Sequence, residues 1–585
     1  LRDRSAGFFL TNASRCSQRS ELVRKEFLAG GGRNRVDSDY ADTYSLLVVQ
    51  TGFYPSLNDY RLFAKAAFMS KSPTRRLAAL CCFGIALCSW SNAFALQSEP
   101  LGIFEGQSDV GSVKPAGTLH FDPARETYRI TAAGANIWST IDAFHFVWKK
   151  VSGDVSLSAD ITFPESSAAS NPHRKAVLLF RQGLDADGVY ADAAQHGSGL
   201  TALQYRRTKS DTTQDIELNI DAPKHLRLEK RGDTITMFLS MHDEPLHQIG
   251  ASIKLPFDGA FYAGIGLSSH NENVVEKAVF SNVELKSPEP LPAAEKLTLY
   301  SSLKTIQIDA NARVATVVAS RPASMQAPNW SKDGSYLVFN QDGRIWKIAV
   351  KGGEPEAVNI GAASRCNGSH GFSPDGKWLA ISCSMPDKPE SHVYVIPAEG
   401  GTPRLVTLNP NSYWHSWSPG GKTIAFTRPV KGGGGNIYAI SADGGPEMPL
   451  TTGAGVSDDP DYSPDGRYIY FNSNRSGNMQ IWRMRPDGSN PEQMTSDEFN
   501  NWTPHVSPDG KSMVFLTYDK GETGHPANKD IALRIMSMDD RKVRTLVNLV
   551  GGSGTDNVPS WSPDSHHFAF VSYQMLPLEE AGSNQ

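Results

Sequence analysis

Three histidines stand where they could do chemistry. His370, His415 and His505 each lie one or two residues ahead of a recurring step in which an aromatic residue or Val is followed by Ser-Pro. Neutral imidazoles next to carboxylates suit a divalent transition metal. Matching positions in the other repeats widen the set. Asn367 accompanies His370, Tyr413 and Trp414 accompany His415, and Asn501 and Trp502 accompany His505; Asp458, Asp459, Asp556 and Asn557 stand alone. The long stretch 519–530 adds His525 and Asn528, and the repeat before it adds Asn474 and Arg475. Such a set serves metal binding or ligand binding without chemistry. It also serves a purely structural task, the capping of strand ends by hydrogen bonds to buried backbone.

The elements that must position these residues follow from the repeat. The step appears as Trp330-Ser-Lys-Asp-Gly334, Phe372-Ser-Pro-Asp-Gly376, Trp417-Ser-Pro-Gly-Gly421, Tyr462-Ser-Pro-Asp-Gly466, Val506-Ser-Pro-Asp-Gly510 and Trp561-Ser-Pro-Asp-Ser565. Successive serines are 42, 45, 45, 44 and 55 residues apart, a period of four-stranded propeller blades. Pro presets φ and Asp-Gly accepts positive φ, so each phrase predicts a tight turn between two strands. Alternating runs follow, such as Lys377-Trp-Leu-Ala-Ile-Ser382 and Gln480-Ile-Trp-Arg-Met484. The last repeat supplies two strands, and the missing pair is expected at 305–308 and 313–318, so that both chain ends close the ring. Six blades are expected over residues 299–575, with residues three to six positions before each phrase rimming one mouth of the channel.

These phrases resemble the TolB-like propeller family of exported bacterial proteins. Where that family carries a small α/β domain ahead of the propeller, this chain has a strand-rich region. In placement, the histidine mouth resembles the metal-bearing channel mouth of propeller-fold oligogalacturonate lyases. That likeness implies a metal that neutralises a uronate carboxylate while a base removes the adjacent proton.

Residues 100–286 show short alternating runs split by turn signals, among them Phe144-His-Phe-Val-Trp148 and Ala176-Val-Leu-Leu-Phe180. Many such runs with few helix signals predict antiparallel sheets. The ordered phrases Tyr128-Arg-Ile-Thr-Ala-Ala-Gly134, Asp142-Ala-Phe-His-Phe-Val147 and Tyr262-Ala-Gly-Ile-Gly-Leu267 resemble the concanavalin-A-like jelly-roll modules of secreted carbohydrate-active proteins. The resemblance implies a sandwich and possible sugar contact, for which Trp138, His145 and Trp148 are the candidates; core packing is the competing role of these side chains. Asp142 and Asp154 are either calcium ligands or turn residues. The Pro-rich segment 287–298 is expected to be an extended spacer, and 576–585 a tail.

One segment carries a targeting signal. Lys71, Arg75 and Arg76 precede an apolar run, and Ala93-Phe-Ala95 offers a cleavage step, so 69–95 is expected to be a signal peptide. Residues 1–68 contain no Met before Met69 and are expected to be translated upstream sequence. Export to the periplasm or cell exterior follows, with no transmembrane anchor after cleavage. There Cys366 and Cys383, placed symmetrically about the Ser373–Gly376 turn, are expected to form a cross-strand disulfide.

Composition bounds the rest. The 585 residues carry a net charge of −5, which argues against a general nucleic-acid binder. Residues 1–95 hold 13 basic and 7 acidic side chains, so the 490 residues after them carry −11. A polyanionic ligand would therefore need a local basic or metal-bearing patch. Gly-x-Ser-x-Gly, P-loop and His-Glu-x-x-His motifs are absent from the sequence. The expectation is an all-β protein, a jelly-roll sandwich followed by a six-bladed β-propeller, that binds a glycan or an envelope partner without catalysis and with no certain cofactor. The alternative is a metal-dependent lyase or hydrolase of acidic oligosaccharides.

Overall fold

A computed structural model describes residues 100–577 apart from 219, 243–245, 291–296, 309–313, 431–434 and 454. The expected upstream sequence and signal peptide, and the tail beyond 577, lie outside the described residues. All regular structure among those residues is strand.

The repeated phrase folds as a hydrogen-bonded turn. Ser373 Oγ donates to Asp375 Oδ1 (2.6 Å) and accepts the Trp378 N–H (3.0 Å). The same two bonds recur at Ser331, Ser463, Ser507 and Ser562. The Ser373 hydroxyl and the Lys377 N–H hold the Asp375 carboxyl below its usual range. The closing glycine lies in the left-handed region, with φ of 73° at Gly376 and 69° at Gly466, where a side chain is strained. In the third phrase Gly420 replaces the aspartate, and Ser418 keeps only the bond from the Thr423 N–H (3.0 Å).

Five four-stranded antiparallel blades follow, not the six expected. Their first strands are Met325–Trp330, His370–Phe372, Tyr413–Trp417, Ser457–Tyr462 and Asn500–Val506. The sixth phrase makes no separate blade. Its first strand is reduced to a single bridge between Trp561 and Phe568. The strand His567–Pro577 pairs antiparallel with Leu297–Gln307, which pairs with Val314–Arg321. Val314–Arg321 then pairs in parallel with Gln214–Leu218, so this closing segment is continuous with a ten-stranded sheet. The physical reason is edge protection: the outer strand Val314–Arg321 finds a partner in the preceding region.

That preceding region contributes seven strands to the ten-stranded sheet and all seven of a second sheet. Leu157, Leu228, Ile235 and Phe280 of the second sheet share one core with Ala176, Leu178, Phe180 and Ile265 of the first. The opposite face of the first sheet is buried too, by a cluster containing Ile137, Phe144, Phe146, Val177, Leu179 and Tyr190. Burial on both faces explains why Lys175–Arg181 reads as an almost continuous apolar run. Asp142 is fully buried between Arg181 (2.7 Å) and Arg206 (2.8 Å), so it is an ion-pair residue and not a calcium ligand in a turn. Asp154 accepts the Gly232 N–H (2.8 Å). The spacer is shorter than expected, because strands run to Lys286 and resume at Leu297.

Candidate ligand site at the propeller mouth

Blades are locked to one another by the residue just before each aromatic of the repeat. Asn329 Oδ1 accepts the Phe372 N–H (3.0 Å), Ser416 Oγ the Tyr462 N–H (3.2 Å) and Asp461 Oδ2 the Val506 N–H (3.3 Å). Indole N–H groups add to the ring: Trp417 donates to Gly371 O (3.1 Å) and Trp561 to His505 O (2.9 Å). This girdle was readable in the sequence as a polar or small residue at one fixed offset, yet Asn329, Ser416 and Asp461 are not among the residues picked out above.

Each girdle strand except the second carries a register shift just upstream. Three shifts contain a non-glycine residue at positive φ: Ala327 (55°), Asp459 (50°) and Thr503 (50°). A bulge re-aims neighbouring side chains, and strained backbone of this kind clusters at functional sites. At the fourth blade the bulge turns Asp458 and Asp459 toward His415 of the third.

His415 is the centre of the site. Its Nε2 lies 3.6 Å from Asp458 Oδ1 and its Nδ1 lies 3.4 Å from Asp459 Oδ1. Among the described residues, these three form the group whose ligand atoms lie within 4.8 Å of one another. Burial pushes His415 down to about 4, with His505 and His525 acting in the same direction and Asp458 opposing. The ring is therefore neutral and one nitrogen has a free lone pair. Burial, then the Asp458 and Asp556 charges, push Asp459 well above the usual carboxyl range. Asp459 Oδ2 is buried with no hydrogen-bond partner.

His505 sits deeper. Its Nε2 donates to Asp556 O (2.6 Å), and its Nδ1 lies 3.5 Å from Asp461. Burial, the largest influence, would lower it, but Asp461 and then Asp556 outweigh that and its pKa is raised. Burial lifts Asp556 to about 7, and its Oδ1 accepts the Thr503 hydroxyl (3.0 Å). Trp502 and His525 stack with centroids 4.6 Å apart and planes 15° apart, His525 being the half-buried face of the pair.

The three histidines expected to share a metal are not assembled as a set. His370 is fully buried and faces the backbone of Val338, Asn367 and Ala327, with no acidic side chain among the groups acting on it. Asn501 is fully buried and occupied, donating to Asp497 (3.0 Å) and accepting from Thr517 (2.8 Å). Trp414 is buried in a core with Ala327 and Phe426. Tyr413 and Asn367 remain half-buried, Asn528 is exposed, and Asn557 accepts the Gly554 N–H (2.7 Å). Asn474 accepts the Val456 N–H (2.7 Å), and Arg475 binds the Ser457 and Ser473 hydroxyls (3.0 Å each). Cys366 and Cys383 are joined by a disulfide.

Trp138, His145 and Trp148 form no common platform. His145 and Trp148 fall on opposite faces of one strand by the two-residue period. His145 lies between Asp109 (2.7 Å) and Gln107 (3.1 Å). Trp148 packs edge-on against Tyr262 (4.9 Å), and the Lys175 ammonium lies 4.9 Å from the Trp138 ring.

The chain is similar to known proteins over its C-terminal half. Residues 412–576 match the family described as the TolB beta propeller domain. An uncharacterized protein of Agrobacterium fabrum, Atu1656, is 46% identical over 286 residues, which is 48% of this chain and 94% of that protein. The Tol-Pal system protein TolB of Francisella tularensis subsp. mediasiatica is 26% identical over 243 residues; the chain spans about half of it (54%). A solved structure from Agrobacterium tumefaciens is 44% identical and covers 47% of this chain and 99% of its own, with a TM-score of 0.45.

Proposed function

The chain belongs to the family of TolB-like propeller proteins, and on that premise we propose that it is an exported, periplasmic binding protein whose propeller mouth receives a glycan or an envelope partner. The observation that carries this reading is Asp459 Oδ2, a buried acceptor without a donor on the first strand of the fourth blade, next to His415. An unsatisfied buried acceptor costs about 1–3 kcal/mol, so a ligand hydroxyl, ammonium or cation that reaches it gains that amount back. The Trp502–His525 stack beside it offers an aromatic face, and aromatic face plus carboxylate is the chemistry that recognises a sugar. The envelope partner is suggested by the Tol-Pal relatives, of which the chain spans about half (54%).

We read residues 69–95 as a signal peptide, and the disulfide between Cys366 and Cys383 accords with export. We read the two sheets ahead of the propeller as the jelly-roll module. A glycan array probed with the full chain and with Asp459→Asn tests the mouth. Retention by the full chain and loss in the variant support it; equal retention by both contradicts it.

A second reading rests on the spacing at His415. One ligand atom from each of His415, Asp458 and Asp459 lies within 4.8 Å of the others, a spread from which a single imidazole nitrogen and two carboxylates could converge on one divalent ion. In this reading His415, Asp458 and Asp459 would hold the metal, and the metal would polarise an acidic saccharide. Manganese or zinc retained by the full chain and lost in Asp458→Asn, together with unsaturated products from oligouronides, would establish the lyase.

A further inference from the structure

A second constellation lies outside the five blades, at one end of the ten-stranded sheet. The strands Phe261–Ser268, Lys175–Arg181 and Tyr190–His196 are neighbours there, with Ser268 opposite Lys175 and Lys175 opposite His196. His173 lies two residues before the middle strand, His196 ends one neighbour, and His270 lies two residues past the other. Topology alone thus brings three imidazoles to one sheet end. Asn171 fixes the two loops: its Nδ2 donates to His270 O (3.3 Å) and its Oδ1 accepts the His173 N–H (2.8 Å). His270 is held at a φ of 57°.

The rings are close. His173 is 5.7 Å from His196 and 5.6 Å from His270, centroid to centroid. Imidazoles bound to one ion at ~2.0–2.1 Å have centroids roughly 5–5.5 Å apart. His196 is 5% exposed and both its ring nitrogens lack a partner; Nδ1 of His270 is buried without one. Burial, reinforced by Lys175, drives His196 down to about 3 and His270 below its usual value, so both are neutral ligands at physiological pH. The Lys175 ammonium is already engaged by Ile137 O (2.9 Å) and Gln204 Oε1 (3.1 Å). His173 is exposed.

We propose that His173, His196 and His270 form a binding site for a divalent transition ion of the zinc class, closed by rotation of His173 onto the two less exposed rings. Three imidazoles without a thiolate leave a coordination position open to solvent or ligand. Nothing in this site depends on the mouth.

Equilibrium dialysis of zinc against the full chain tests the site. Asp458→Asn/Asp459→Asn serves as the background, so that the mouth contributes no ion. One zinc equivalent is expected to remain in that background. His173→Ala, an exposed change that leaves the core intact, is expected to weaken it by more than about 100-fold, beyond the range of outer-shell substitutions. His270→Ala should do the same. Unchanged zinc affinity in His173→Ala, or no zinc bound in the mouth-variant background, would overturn the proposal.

Discussion

Asp459 Oδ1 lies 3.4 Å from His415 Nδ1, across the junction between the fourth and third blades. Burial holds the imidazole neutral and drives the carboxyl toward its protonated form. The pair exists because the bulge at Asp459 twists its strand. A buried acceptor at the end of a strained strand is poised for an incoming donor.

Stability should fall on both sides of a pH optimum. Asp556 is lifted from 3.8 to about 7 by burial. A raised pKa means its contribution is fully present below the unfolded value and is lost as pH rises toward 7. His415 and His370 are depressed to about 4. They bind fewer protons than the unfolded chain below 6.5, so stability also falls as pH drops from there toward 4. Asp556→Asn keeps the acceptor for Thr503 and removes the first effect. It should gain on the order of 4 kcal/mol at about pH 8 and nothing near pH 4, read from urea midpoints at both values.

Asn501 is expected to be structural. Asn501→Ala strands the Thr517 hydroxyl and removes one donor from Asp497, which keeps Arg534 (2.7 Å). Denaturation should show a loss of about 2–3 kcal/mol, while ligand retention at permissive temperature stays as in the parent chain.

Closure of the ring depends on Trp561. Its indole packs edge-on against Phe568 at 5.5 Å and donates to His505 O. Trp561→Ala should cost about 3–5 kcal/mol. Hydrogen exchange should then accelerate first in His567–Pro577 and its partner Leu297–Gln307.

The Cys366–Cys383 bond closes a short loop, with a sequence separation of 17. Replacing both residues by Ser should lower stability by about 2–3 kcal/mol. Thiol labelling of the native chain should require prior reductant at these two positions.

Local chemistry was legible in the sequence, and long-range pairing was not. Ser373, Asp375 and Gly376 announce their turn because every partner lies within five residues. The blade count failed because the outer strand of the sixth unit pairs with Gln214–Leu218, about a hundred residues upstream, and no local pattern encodes that. At the mouth, His415, Asp458 and Asp459 were picked out by offset, but Trp414 and Asn501 share that offset and point into the core. A one-residue bulge decides which side a residue faces, and bulges leave little trace in a pattern of alternation. The histidines at 173, 196 and 270 belong to no repeat, so only the sheet order brings them together.

The central claim is that the propeller mouth binds a ligand through Asp459. A glycan array compares the full chain with Asp459→Asn, after thermal unfolding has shown that the variant is folded. The account predicts saccharides retained by the full chain and lost in the variant. Retention that is identical in both, or no saccharide retained by either, would contradict it.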